Sequence, residues 1–196
     1  MANVDQLRKN LEARGFQTSL FESAEEACAY LNGAIDGTTV GFGGSMTLQD
    51  MGLYDSLSSH NTCLWHWKGD SPAAANAAPV YISSVNGVAE TGELINIDGG
   101  CNRVSGIMFG HQKLYLVIGI NKIAEDEASA LWRARNIAAP RNAQRLNRKT
   151  PCAVKGDRCY DCLSPECLCS AIVTLRRRPL SVAEAEVIII NRELGY

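Results

Sequence analysis

The sequence predicts an α/β fold, a mostly parallel sheet flanked by helices, and three observations carry that prediction. Apolar runs alternate with segments of helical periodicity; the runs at 114–120 and 187–190 are apolar throughout, as strands buried on both faces are; and the run at 38–41 passes directly into glycines and a helix. At 196 residues the chain is the size of one domain, so a single unit over 1–196 is expected, including a cysteine-rich segment at 149–170.

Val4, Leu7 and Leu11 share one face of a first helix, and Ser23 with Glu26 three residues on forms a capping-box pattern for a second, whose stripe is Ala27, Tyr30 and Leu31. The strand at 38–41 is followed by a helix carrying Leu48 and Met51. A strand is predicted at 63–67, and Ser71-Pro72 supplies a cap and a first-turn proline ahead of an alanine-rich helix. Strands follow at 80–83, 93–97 and 114–120, with Val104, Ile107 and Met108 at helical spacing between the last two. Ala124, Ala128, Leu131 and Ala138 lie on one side of a long helix expected to stop before Pro140, because proline disfavours helix in the residue ahead of it. A shorter helix through Ala143 and Leu146 is expected next, and strands at 171–175 and 187–190 close the chain.

The formal charge of −2 gives no global attraction to phosphate backbones or anionic membranes, so no nucleic-acid partner is expected. The run Arg176-Arg177-Arg178 reads as a solvated face. No apolar run is long enough for a membrane span and the first twenty residues lack a secretory pattern, which together predict a cytoplasmic protein. Five of the eight cysteines fall between 152 and 169, and in a reducing compartment such clustering favours a metal over disulfides.

Cys152, Cys159, Cys162 and Cys169 give C-x6-C-x2-C-x6-C, whose central pair is a chelate able to place two thiolates on one metal, with Cys167 as a fifth candidate. Four sulfurs suit tetrahedral zinc or an iron–sulfur cluster (4Fe-4S) equally, and a metal would order a segment with little apolar periodicity of its own. Unpaired structural thiols are the plainer alternative, and a thioredoxin-like pair is disfavoured because no obvious strand precedes the C-x2-C. Cys28 and Cys63 read as small buried hydrophobes.

The run 41–47, Gly-Phe-Gly-Gly-Ser-Met-Thr, follows a strand and opens a helix, so its N–H groups can cradle a phosphate or carboxylate; a plain tight turn explains it as well. The segment 86–103 concentrates amides, carboxylates and glycines. Glu90, Glu93 and Asp98 have the chemistry of acid, base or nucleophile, and Arg103 that of a bidentate carboxylate fork; alternatively Asn96 and Asp98 turn or cap the chain and the glutamates face water. Nothing local fixes the reactivity of Cys101. Lys122 ends an apolar strand, where open α/β sheets bind ligands, and Arg133 and Arg135 follow on the next helix as surface charges. His60, His66 and His111 lack metal-type spacing and read as structural or solvent-facing. No flavin or nicotinamide motif is visible.

Taken in order, GFGGS-T-L, ETGELINIDGG-NR, VIGINKI, R-R---AP-NA-RL and PC---G--CYDC-SP---C resemble the lactate-utilization (LUD) domain family along nearly the whole chain. The likeness is to compact members that end in a cysteine-rich segment. The chain departs from the family pattern at Cys101, where a glycine is usual, and at Cys167. The resemblance implies a fold similar to the NagB, ribose-5-phosphate isomerase and CoA-transferase group. By analogy it gathers Gly43, Gly44, Ser45, Thr47, Asn102, Arg103 and Lys122 as ligand-binding residues, with Glu93 and Asp98 as catalytic carboxylates. Three functions follow as expectations. The first is organic-acid (lactate-type) metabolism on a small anionic metabolite, with redox work supplied by an iron–sulfur site or a partner. The second is a CoA-transferase- or isomerase-like enzyme using Glu93 or Asp98. The third is an accessory protein docking an electron-transfer or operon partner.

Overall fold

The computed structural model describes residues 3–196. Helix α1 (Val4–Ala13) is capped by the Asn3 side chain and buries Leu7 and Leu11, the stripe its spacing predicts. Strand β1 (Gln17–Phe21) and helix α2 (Ala24–Ala34) follow; the Ser23 hydroxyl accepts from the Glu26 N–H, so the capping signal works as read. Then come β2 (Thr39–Phe42), the short helices α3 (Met46–Asp50) and α4 (Leu53–Leu57), β3 (Thr62–Trp65) and a 3₁₀ turn at His66–Lys68. Helix α5 (Pro72–Asn76) starts on Ser71-Pro72 and precedes β4 (Val80–Ser83).

Strands β5 (Gly87–Ala89) and β6 (Leu94–Asp98), helix α6 (Asn102–Met108), β7 (Lys113–Gly119) and the two-residue β8 (Ile123–Ala124) complete the central part. Beyond them lie α7 (Glu127–Arg133), α8 (Ala139–Arg145), α9 (Pro151–Lys155), β9 (Ala171–Leu175) and β10 (Glu184–Ile190).

Six strands form one wholly parallel sheet in the order β1-β10-β7-β4-β2-β3. Alternation along β7 explains why its sequence is apolar throughout: Leu114, Leu116 and Ile118 pack on one face with Leu7, Leu11 and Val187, while Tyr115 and Val117 pack on the other with Leu31, Leu48 and Leu57. A second sheet, β8-β5-β6-β9, mixes antiparallel and parallel pairs and packs Ile95 and Ile97 against Ala130 and Ala134. Among the described residues no helix is long and apolar enough to cross a membrane.

The expected stop before Pro140 does not occur. A π turn over Ala134–Ala138 links α7 to α8, and the Ala139 N–H donates to the Ala134 carbonyl five residues back. The widened turn breaks the regular i→i−4 ladder just ahead of the proline, which then sits in the first turn of α8, where its missing N–H costs little. The helical path therefore continues to Arg145.

Close approach of α5 to the sheet depends on Gly41 in β2, where an added Cβ would lie 2.0 Å from the Ala75 carbonyl oxygen. Gly41→Ala should therefore destabilise the fold by about 1–3 kcal/mol, the range for overpacking a filled interior, measured as a lowered urea midpoint.

Candidate functional site

At the carboxyl ends of β2, β3, β4 and β7 the chain turns away from the sheet, and the four turns enclose a cavity of about 460 Å³. Its position is the one at which open parallel sheets present ligand sites. Gly44 and Ser45 come from the turn after β2, and His66 with Trp67 from the turn after β3. Ser84 and Asn86 come from the turn after β4, and Lys122 from the turn after β7. Asp98, Gly99, Gly100, Asn102 and Arg103 enter from the end of β6 and the start of α6, while Asn142, Arg145 and Arg148 close the far side from α8 and the residues after it.

Lys122 is buried, and its Nζ donates to Thr47 Oγ1 at 2.8 Å, Ser84 Oγ at 2.8 Å and the Val85 carbonyl at 3.2 Å. Burial, reinforced by the positive charges of Arg133 and Arg103, pushes its ammonium down to about 7. Thr47 lies beneath Lys122 rather than on the wall, and Gly43 anchors the turn by donating its N–H to the Ile82 carbonyl at 2.9 Å. Ser45 caps α3 through Leu48 N–H, which gives the loop hydroxyl a structural duty beside its place on the wall.

Arg103 differs from its expected role. Its Nη1 donates to the Ser84 carbonyl and Asn96 Oδ1, and its Nη2 to Asn86 Oδ1 and the Ile97 carbonyl, all within 3.0 Å. The terminal N–H groups that a bidentate fork would use are thus spent on protein oxygens, and what Arg103 offers the cavity is positive potential. Asp98 follows the capping alternative: Oδ1 accepts from the Gly100 and Cys101 N–H groups and Oδ2 from Val104 N–H, which fixes a carboxylate at the cavity edge.

Glu93 lies off the cavity wall. It is ion-paired with Arg14 of α1 and accepts from the Thr91 hydroxyl. Burial works to raise its pKa, but the Thr91 and backbone hydrogen bonds and the Arg14 charge bring it below the usual carboxylate range. Cys101 has φ of +57°, the left-handed region that favours glycine, so a glycine would sit there with less strain.

His66, Trp67, Arg145, Arg148 and Leu168 were not singled out from the sequence as ligand residues. The rule that drew attention to Lys122 applies to His66, which follows β3 at the same sheet edge. Burial lowers the His66 pKa and Arg145 lowers it further, while Asp98 works to raise it. Arg145 stacks on Trp67, 4.7 Å from the ring centre, and is steadied by Asn142 Oδ1. No periodicity in the sequence links these segments; the continuation of the helix through α8 carries Arg145 to Trp67.

All five thiols of the cysteine-rich segment, Cys152, Cys159, Cys162, Cys167 and Cys169, line one second cavity of about 240 Å³ and none is in a disulfide. Cys159 Sγ receives the Asp161 N–H at 3.4 Å and lies 3.6 Å from Arg135 Nη2, donors that suit a thiolate. Burial, with the neighbouring Cys167 adding to it, pushes the Cys169 thiol up to about 12. Among the described residues no group of three or more His, Cys, Asp or Glu side chains stands in a metal-ligand arrangement. The donor set fits a soft metal by its chemistry rather than by a preformed cage. Leu168 lines both cavities, and an added Cβ on Gly99 would lie 3.1 Å from the Leu168 Cα, so the cysteine-rich segment forms part of the first cavity's wall.

The depressed ammonium of Lys122 has a consequence for stability. The folded state releases this proton near pH 7 and an unfolded lysine near 10.5, so the unfolded chain holds the extra proton between those values and the stability contribution rises with pH across that interval. Denaturant unfolding at intervals from pH 7 to 10.5 should show wild type gaining stability relative to Lys122→Met as pH rises; parallel curves would contradict the assignment.

Among known proteins, a crystal structure of a DUF162 family protein from Deinococcus radiodurans at 1.70 Å resolution is similar over 95% of this chain and 95% of that one, with a TM-score of 0.56 at 12% identity, a likeness of fold. No curated protein sequence matches. The LUD domain family model matches residues 4–190, nearly the whole chain, and the protein belongs to the LUD domain family.

Proposed function

We propose that this LUD-family protein acts in organic-acid metabolism of the lactate type, holding a small organic anion in the cavity at the sheet edge and a thiolate-bound metal beside it. The observation that carries the anion is the charge of the wall: Lys122, Arg103, Arg145 and Arg148 against the single side-chain carboxylate of Asp98. Arg145 and Arg148 are the groups able to grip a carboxylate, because Arg103 is committed to protein oxygens. Asn102 and Ser45 supply polar contacts for the remainder of the ligand, and His66 opposite Asp98 is positioned for proton transfer.

Cys152, Cys159, Cys162 and Cys169 are the proposed metal ligands, with Cys167 in the same cavity as a fifth sulfur. An iron–sulfur cluster there would supply one-electron transfer, whereas zinc would clip the segment in place. The exposed Trp132 and Leu163 flanking this cavity support a second reading, in which the cysteine-rich face docks an electron-transfer partner. A CoA-transferase mechanism through Glu93 finds less support, since that carboxylate is paired with Arg14 away from the cavity.

Metal and sulfide analysis of protein purified without oxygen tests the cysteine assignment. Iron with acid-labile sulfide, lost in the Cys159→Ser/Cys162→Ser variant, is expected for a redox site; a single zinc would make the site structural, and no metal in wild type would overturn it. For the anion, Arg145→Ala should weaken binding of lactate or pyruvate by about ten- to a hundredfold, the effect of removing a charged hydrogen bond, measured by calorimetry.

A further inference from the structure

Lys122 has surroundings unlike those of a lysine kept only for its charge. Lys122 lines the cavity, no carboxylate among the described residues lies within ion-pairing distance of its Nζ, and the three contacts of Nζ are two hydroxyls and a carbonyl. Arg133 and Arg103, both largely buried and both positive, oppose its protonation more strongly than the Asp50 carboxylate favours it. A wall that already contains Arg145 and Arg148 has cations to spare for a carboxylate. An amine that is buried, unpaired by charge and crowded by like charge is the arrangement that yields a nucleophilic lysine.

The immediate shell fits both protonation states. The ammonium has three N–H bonds for three acceptors. The neutral amine has two, enough for the Val85 carbonyl and the Ser84 hydroxyl, while the Thr47 hydroxyl has the Leu194 carbonyl at 3.4 Å as its own acceptor, so the lone pair is left free without stranding a buried donor. The lowered ammonium pKa is in keeping with that geometry, since a large share of the amine is neutral at ordinary pH.

We propose that Lys122 is a catalytic residue that forms a Schiff base with the carbonyl of a small 2-oxo carboxylic acid, an inference that rests on the anion-binding reading of the same cavity. The carbonyl follows from the nucleophile and the carboxylate from the arginines. The Nζ lone pair attacks the carbonyl carbon as the C=O π bond breaks onto oxygen, giving a carbinolamine. The two amine protons leave with that oxygen as water, relayed by the Thr47 and Ser84 hydroxyls, and a C=N bond replaces the C=O bond. No electrons are gained or lost. Protonated, the imine draws electron density from the neighbouring carbon and makes its C–H acidic, the role a Schiff base serves in carbon-acid chemistry.

The test is borohydride reduction of the full-length protein with pyruvate, followed by peptide mapping, alongside calorimetric binding of pyruvate and of lactate, which has no carbonyl. The expected result is a reduced pyruvyl adduct on the Lys122 peptide, at least about tenfold above any other lysine because exposed amines are almost fully protonated at neutral pH. Lactate should lower that labelling by competition, and Lys122→Met should abolish it. If pyruvate binds but Lys122 stays unlabelled, or all lysines label alike, the Schiff base is overturned and the anion pocket stands. If neither acid binds wild type, the anion reading falls and the Schiff base with it. The map of the wild-type adduct decides the matter even if the variant fails to fold.

Discussion

A guanidinium removed from water must have its donors satisfied, and among the described residues no carboxylate forms an ion pair with Arg103. Four oxygens do the work instead, from the turn after β4 and from β6, so the charge can be buried only when the large sheet and the small sheet are held in one relative position. The cavity lies along that seam. Asp98, whose oxygens collect the N–H groups at the start of α6, fixes the helix that carries Arg103. Arg133 repeats the device beside it, reaching the Asn121 and Asn86 carbonyls from α7. Three segments meeting at a ligand cavity are thus joined by buried charge on backbone oxygen, an arrangement that loses much if one acceptor moves.

This construction also sets the electrical character of the cavity. Arg103 and Arg133 spend their hydrogen bonds on neutral oxygens, and of the two only Arg103 feels the partial offset of the Asp98 carboxylate. Their charge is felt by Lys122, whose proton becomes easier to lose, and by any anion that enters. Structural arginines and a perturbed lysine are parts of one field, and the same residues that hold the sheets together prepare the site.

Much of both sheets was legible in the sequence: in the large sheet β4 occupies its predicted position and β2, β7 and β10 overlap theirs closely, and in the small sheet β9 and β6 do the same. The reason is physical: a strand buried on both faces must be apolar throughout. Strand β1 was not legible, because its position at the sheet edge leaves Gln17 and Leu20 exposed and spoils any pattern. The two-residue β8 and three-residue β5 are too short to show a period. The π turn was hidden for another reason. A local rule about proline ends the helix, while packing on the small sheet carries it onward. Among site residues, Lys122, Ser45 and Asn102 could be singled out from their places near strand ends or in a polar segment, but the fully engaged state of Arg103 and the removal of Glu93 to Arg14 depend on neighbours distant in sequence.

The backbone at Leu168 occupies the space that a side chain on Gly99 would take, with a thiol-lined cavity on one side and a cation-lined cavity on the other. Any occupant that favours one position of the partition from the sulfur side must, by thermodynamic reciprocity, be favoured in turn by an occupant that prefers the same position from the other side. The two chambers share a wall, and any coupling carried through it runs both ways.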